Sequence, residues 1–243
     1  MKNLLKVAIA LAILFAVSLV LLNVAYPKVL AKQDQLSGYP FRTEEGKSYT
    51  HGQWRISFVE GTLVTSSDQR HQNKLYYTDF LCPNMAICGN FVAIFESAAT
   101  HFYLLNLGDA TFRKIETDLP LSSVRLSAGG NALVITHSGS EVYMFDQMGT
   151  LKFQLKINLL LCDAAISQNG KRVGLLFFSE KKGNGYLAEI YSVESGKRIS
   201  YANLIYDDIP TCFMHGNRLC LKKDDQAIGF FWLDKFYLFP QNT

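Results

Sequence analysis

The chain has 243 residues, with 24 Lys and Arg against 21 Asp and Glu, a formal net charge of +3 and 49% hydrophobic residues. The positive excess is local: Lys2, Lys6, Lys28 and Lys32 all precede the first acid, Asp34, so the rest carries 20 − 21 = −1. A domain without a clustered basic face lacks what phosphate-backbone binding needs, which excludes a nucleic-acid partner.

A stub of residues 1–3 precedes Leu4–Tyr26, 23 residues in which Lys6 is the one charge. At 1.5 Å per residue the stretch spans about 34 Å, enough for a hydrocarbon core of about 30 Å. A cleaved signal peptide normally has an apolar region of only about 7–15 residues. The expectation is therefore an uncleaved signal anchor at residues 4–26. A three-residue stub before a long C-terminal part fits a cytoplasmic N-terminus and an extracytoplasmic bulk at the plasma membrane, although Lys2 and Lys6 at one end are balanced by Lys28 and Lys32 after the other.

Residues 27–50 are polar, with Gly38, Pro40, Gly46 and the pair Glu44-Glu45, and read as a tether with one strand around Tyr39–Arg42. From residue 51 to 243 the pattern changes to short apolar runs broken by turn residues, and no stretch makes an amphipathic helix of three turns. This part is all-β.

Its organising feature is a recurring turn. Cys88-Gly89-Asn90, Gly129-Gly130-Asn131, Asn169-Gly170-Lys171 and His215-Gly216-Asn217 each separate two apolar runs, spaced 130 − 89 = 41, 170 − 130 = 40 and 216 − 170 = 46 residues apart. A period of about 40–50 residues built from short strands is the signature of a propeller blade. Four strands fit the unit at Ser122–Ser127, Ala132–Ser138, Glu141–Gln147 and Leu151–Asn158, and equivalents start at Asn84, Cys162 and Thr211. Before them, Trp54–Glu60, Thr62–Ser66 and Lys74–Phe80 form a shorter unit, whose Gly61 lies 89 − 61 = 28 residues before Gly89. The expected architecture is β-propeller-like, four full blades plus one short blade, behind a transmembrane helix. Val134, Tyr143, Phe145, Leu175, Phe177, Ile190, Trp54 and Trp232 are expected to pack blade on blade. The strongly aromatic final strands, with Phe230, Phe231 and Trp232, offer an edge for self-association unless the N-terminal segment closes the ring.

The chemistry-bearing residues do not converge. His51, His71, His101, His137 and His215 are scattered over different units, with no His-x-x-x-His and no Cys-x-x-Cys. There is no Gly-x-Ser-x-Gly elbow and no phosphate loop, and the adjacent acids Glu44-Glu45, Asp207-Asp208 and Asp224-Asp225 alternate in direction along extended chain. No catalytic, cofactor-binding or metal-binding residue is therefore assigned. Five cysteines (82, 88, 162, 212, 220) cannot all pair internally. Free thiols are the reading for Cys88 and Cys220 inside apolar strands, with Cys82–Cys88 or Cys212–Cys220 bridges as alternatives.

The run Cys162-Asp163-Ala164-Ala165-Ile166-Ser167-Gln168-Asn169-Gly170-Lys171-Arg172-Val173, the hairpin Ser192-Val193-Glu194-Ser195-Gly196-Lys197, the anchor and Gly38–Phe41 together resemble quinoprotein-like and WD-type propellers. The match is to a family of membrane-anchored propeller domains of unknown function from Firmicute bacteria, loosely over residues 4–239. Family members are normally long enough for seven or eight blades, which this chain is not. The resemblance implies no quinone-dependent dehydrogenase activity, because the Trp-rich ring motif of that class is absent. The functional expectation is a membrane-anchored, extracytoplasmic, non-catalytic interaction or scaffold module that binds protein or cell wall through loops on one face. The alternatives are a cell-envelope enzyme with a site in the propeller channel and a truncated remnant of a longer propeller.

Overall fold

The structure is a computed structural model and describes residues 38–67, 73–179, 185–205, 210–216, 218–223, 226–232 and 235–238. The expected anchor at Leu4–Tyr26, the stub before it and the first part of the tether lie outside the described residues. Among the described residues no helix is long and apolar enough to cross a membrane.

A short strand β1 (Pro40–Arg42) is followed by twenty strands in five groups of four. The first blade is β2 (Ser48–His51), β3 (Trp54–Val59), β4 (Thr62–Ser67) and β5 (Asn73–Tyr77); the second is β6 (Asn84–Cys88), β7 (Phe91–Phe95), β8 (His101–Asn106) and β9 (Phe112–Glu116). The third is β10 (Leu121–Leu126), β11 (Ala132–Thr136), β12 (Glu141–Phe145) and β13 (Leu151–Lys156). The fourth is β14 (Leu160–Ile166), β15 (Arg172–Ser179), β16 (Gly185–Ser192) and β17 (Arg198–Ile205). The fifth is β18 (Thr211–His215), β19 (Arg218–Lys223), β20 (Gln226–Trp232) and β21 (Lys235–Leu238). Each group is one antiparallel sheet with its strands in chain order, the meander of a propeller blade.

Strand position explains the residue types. The second strands β7 (FVAIF) and β11 (ALVIT) are buried along their whole length, so both faces are apolar. The outermost strands β5 (NKLYY) and β13 (LKFQLK) are largely exposed and alternate with period two.

Two expectations about the first blade are corrected. It is a full four-stranded sheet, because β2, three of whose four residues were assigned to the tether, pairs Ser48–His51 with Ser57–Trp54. Polar Ser-Tyr-Thr-His carries little strand signal, and β2 half-exposes every other residue. Gly61 joins β3 to β4, so it is not the counterpart of Gly89. That role belongs to Gly52, between β2 and β3, which puts the spacing at 89 − 52 = 37. Gly52, Gly89, Gly130, Gly170 and Gly216 all join the first and second strands of successive blades, and all have positive φ, from 57° to 79°.

Adjacent blades share apolar clusters. Trp54, Ile56, Phe58 and Leu63 of the first blade pack on Met85, Val92, Ile94 and Leu105 of the second. Phe95, Phe102 and Leu104 meet Leu121, Val134 and Phe145 of the third. Leu133, Val142 and Met144 meet Val173, Leu175 and Phe177 of the fourth. Leu176, Tyr186 and Ile190 meet Cys212, Met214 and Leu219 of the fifth. The expected core positions Val134, Tyr143, Phe145, Leu175, Phe177, Ile190 and Trp54 are all buried. Phe230 is buried in a cluster with Phe213, Cys220 and Ala227, against Tyr39. The side chains of Phe231 and Trp232 lie outside the described residues. Among the described residues the apolar cluster of the first blade takes in the second, and that around Phe213 and Phe230 in the fifth takes in Tyr39.

Candidate functional site

The first strands of the second to fifth blades, β6, β10, β14 and β18, touch in succession as the inner strands. Gly38, Tyr39 and β1 lie against these strands. The Gly38 N–H donates to the Ile87 carbonyl at 2.8 Å, and the Leu126 N–H donates to the Gly38 carbonyl at 2.9 Å. β1 then pairs antiparallel with β6, Pro40 opposite Ala86 and Arg42 opposite Asn84. Gly38 is required twice over. Its φ is +87°, and a Cβ there would sit 2.0 Å from the Leu126 carbonyl oxygen.

Tyr39 extends this segment to the fifth blade, where its hydroxyl donates to the Cys212 carbonyl at 2.5 Å. The Arg125 guanidinium lies 4.3 Å above the Tyr39 ring and pairs with the Asp163 carboxylate. Asp163 also accepts from the N–H groups of Cys212 at 2.7 Å and Ala164 at 2.9 Å. One buried network thus ties β1, β10, β14 and β18 together. Burial works against the charge of Arg125, but the neighbouring Asp163 outweighs it and raises the guanidinium pKa. Burial drives the Cys212 thiol well above its ordinary value, and the Asp163 charge adds to that. These groups are held as a structural clamp: the carboxylate is spent on three donors and the thiol stays protonated.

The described histidines His51, His137 and His215 occupy separate places in the fold. His51 Nε2 donates to the Gly89 carbonyl at 2.9 Å, linking the first two blades. His137 lines a separate cavity of about 330 Å³ between the third and fourth blades, together with Ser122 and Cys162. Ser122 and Cys162 sit at matching register shifts near the starts of β10 and β14. His215 ends β18, where burial lowers its pKa. His71, Asp207-Asp208 and Asp224-Asp225 lie outside the described residues. Among the described residues no group of three or more His, Cys, Asp and Glu is placed to hold a metal ion.

A surface cluster that sequence reasoning missed surrounds Asp79. Its carboxylate is 2.8 Å from His101 Nε2, accepts from the Tyr103 hydroxyl at 3.1 Å, and pairs with Lys114 at 3.3 Å. Burial pushes the Asp79 carboxyl up, yet the bonds from His101, Tyr103 and Lys114 prevail and bring it from 3.8 to about 2. Nothing in the local sequence signals it, since 101 − 79 = 22 positions separate Asp79 from His101.

No disulfide pairs any two of the cysteines at 82, 88, 162, 212 and 220 among the described residues. Cys212 faces the fourth blade and Cys220 the opposite side of the same sheet, so they cannot bridge. Cys82 is exposed before β6, whereas Cys88 is buried at its far end.

A groove of about 660 Å³ lies between the outer parts of the third and fourth blades. Lys152 of β13, Lys171 and Arg172 at the start of β15, Glu194 and Val193 of the β16–β17 turn, and Ile199 of β17 line it. Its walls are fixed by backbone bonds: Val193 N–H donates to the Lys171 carbonyl at 3.0 Å, and Ala128 N–H to the Gln168 carbonyl at 2.9 Å. Asn131 Nδ2 reaches the Gly170 carbonyl at 3.4 Å across the blade boundary.

Five four-stranded meanders stacked through shared apolar faces, innermost strands in succession, define a β-propeller-like repeat protein. The chain belongs to the Family of unknown function (DUF5711), whose model matches residues 63–227. No curated protein matches the sequence. Among solved structures it is similar to Hsv2 of Kluyveromyces lactis, with a TM-score of 0.53 and 9% identity over 74% of this chain and 65% of that one. It is also similar to Hsv2 of Kluyveromyces marxianus, with a TM-score of 0.52 and 10% identity over 74% and 64%. The Pan2 WD40 domain of Neurospora crassa gives 0.48 and 7% over 72% and 57%. The chain therefore spans about 65% of the length of the Hsv2 chains it matches. At these identities the likeness concerns the fold alone.

Proposed function

We propose that the protein is a non-catalytic interaction or scaffold module, held at the plasma membrane by residues 4–26 with its propeller-like part outside the cytoplasm. One observation carries the reading: Gly38–Arg42 pair along β6 and bond to β10, on the inner strands where a channel enzyme would hold its substrate. The buried Asp163 carboxylate beside that segment accepts from backbone and guanidinium donors of the chain itself. What remains available is the rim of turns and the inter-blade groove, surfaces suited to a partner. The membrane placement rests on the length and apolarity of Leu4–Tyr26.

Two measurements test this. Protease added to intact cells should digest the epitope-tagged domain, and full protection would contradict the extracytoplasmic placement. A photo-crosslinking amino acid at position 199 should give one discrete adduct with another protein, absent when the same group replaces exposed Lys47. Equal, diffuse labelling from both positions would contradict the interaction role.

A further inference from the structure

The groove between the third and fourth blades has walls of two kinds. Lys171 and Arg172 stand side by side at the start of β15, and neither makes an ion pair among the described residues. Lys152 is matched by Asp146 at 2.9 Å, and Glu194 is the one acid on the lining. The lining thus carries three cations against one acid, in a domain whose own charge is 20 − 21 = −1. The lining also includes the apolar Val193 and Ile199, the latter 43% exposed. Ile199 belongs to β17, the outer edge of its sheet.

We propose that this groove binds an acidic peptide segment of a partner protein, its carboxylates on Lys171 and Arg172 and its apolar side chains on Val193 and Ile199. The cations select charge and speed encounter. The assignment rests on the interaction reading above and names the partner's chemistry.

The test is fluorescence anisotropy with the detergent-solubilised full chain and a labelled Glu-Val-Glu-Val-Glu-Val-Glu-Val peptide. Binding should weaken about ten-fold in a Lys171→Glu, Arg172→Glu variant and less in the milder Lys171→Gln, Arg172→Gln variant, with Lys47→Glu unchanged. Raising salt from 50 to 300 mM should weaken the wild type far more than the reversed variant. Melting curves confirm that each variant is folded, and the milder pair carries the test if the reversed pair is not. Equal binding by wild type and both groove variants overturns the proposal, as does equal affinity for the Lys-Val counterpart. Tighter binding of dextran sulfate than of the peptide overturns it in favour of an acidic glycan. A partner crosslinked from position 199 whose capture ignores both groove variants leaves the interaction role standing and overturns the acidic-peptide assignment.

Discussion

The hydroxyl of Tyr39 donates to the backbone carbonyl of Cys212, 173 positions further along the chain, at 2.5 Å. That bond joins the segment before the first blade to the innermost strand of the last one. It acts with the Arg125 guanidinium stacked on the same ring and with the apolar group around Phe213 and Phe230.

Tyr39→Phe should therefore cost about 1 kcal/mol, the net worth of one part-buried hydrogen bond. Tyr39→Ala should cost about 3 kcal/mol, since it also removes the ring from Arg125 and the fifth-blade cluster. Urea unfolding followed by tryptophan fluorescence measures both, and a Phe variant as damaged as the Ala variant would contradict the ring's packing role.

The buried pair Arg125–Asp163 should respond asymmetrically. Arg125→Met or Asp163→Asn alone should destabilise by about 3 kcal/mol, because each leaves a buried partner uncompensated. The double variant should cost less than the sum of the two singles, and a double-mutant cycle on thermal unfolding reads the coupling.

Turn glycines should differ according to what surrounds them. A Cβ at Gly170, with φ of +68°, would fall 2.0 Å from Asn131 Nδ2, so Gly170→Ala should cost about 2 kcal/mol. Gly216 has a similar φ of +59° and open space around it, so Gly216→Ala should cost about 1 kcal/mol. Equal melting temperatures for the two variants would mean that the blade-to-blade contact at Gly170 is not made.

The Asp79 cluster should impose a pH dependence. Folding lowers this carboxyl from 3.8 to about 2, so its contribution is present above about pH 4 and is lost as pH falls toward 2. The melting-temperature gap between wild type and Asp79→Asn should shrink between pH 5 and pH 2.5. A gap that is constant or widens toward acid would contradict the network.

Much of this architecture was legible in the sequence because a blade is a local object. Asn-Gly and Gly-Asn turns flanked by runs such as Phe91–Phe95 and Ala132–Thr136 mark hairpins, and the strands starting at Asn84, Ala132, Arg172 and Thr211 form as read. The first blade was legible only in part. Its opening strand is polar Ser48–His51, and Gly61 imitates the repeated turn in a different connection. The axial network was not legible, because Tyr39, Arg125, Asp163 and Cys212 are brought together only by blade stacking. Nothing in a period of about 40 residues announces that an arginine in one blade will meet an aspartate in the next. The groove shared that fate, being formed by a turn, a strand start and an edge strand of two different blades.

The most direct test of the account is hydrogen–deuterium exchange on the intact protein over Gly38–Arg42 and the innermost strand β10. If this segment is threaded along the innermost strands, the amides of Gly38 and Leu126 exchange slowly, in step with buried β11, and Gly38→Ala speeds both together. Exchange of residues 38–42 within seconds, with Leu126 unaffected by Gly38→Ala, would show an open axis and contradict the account.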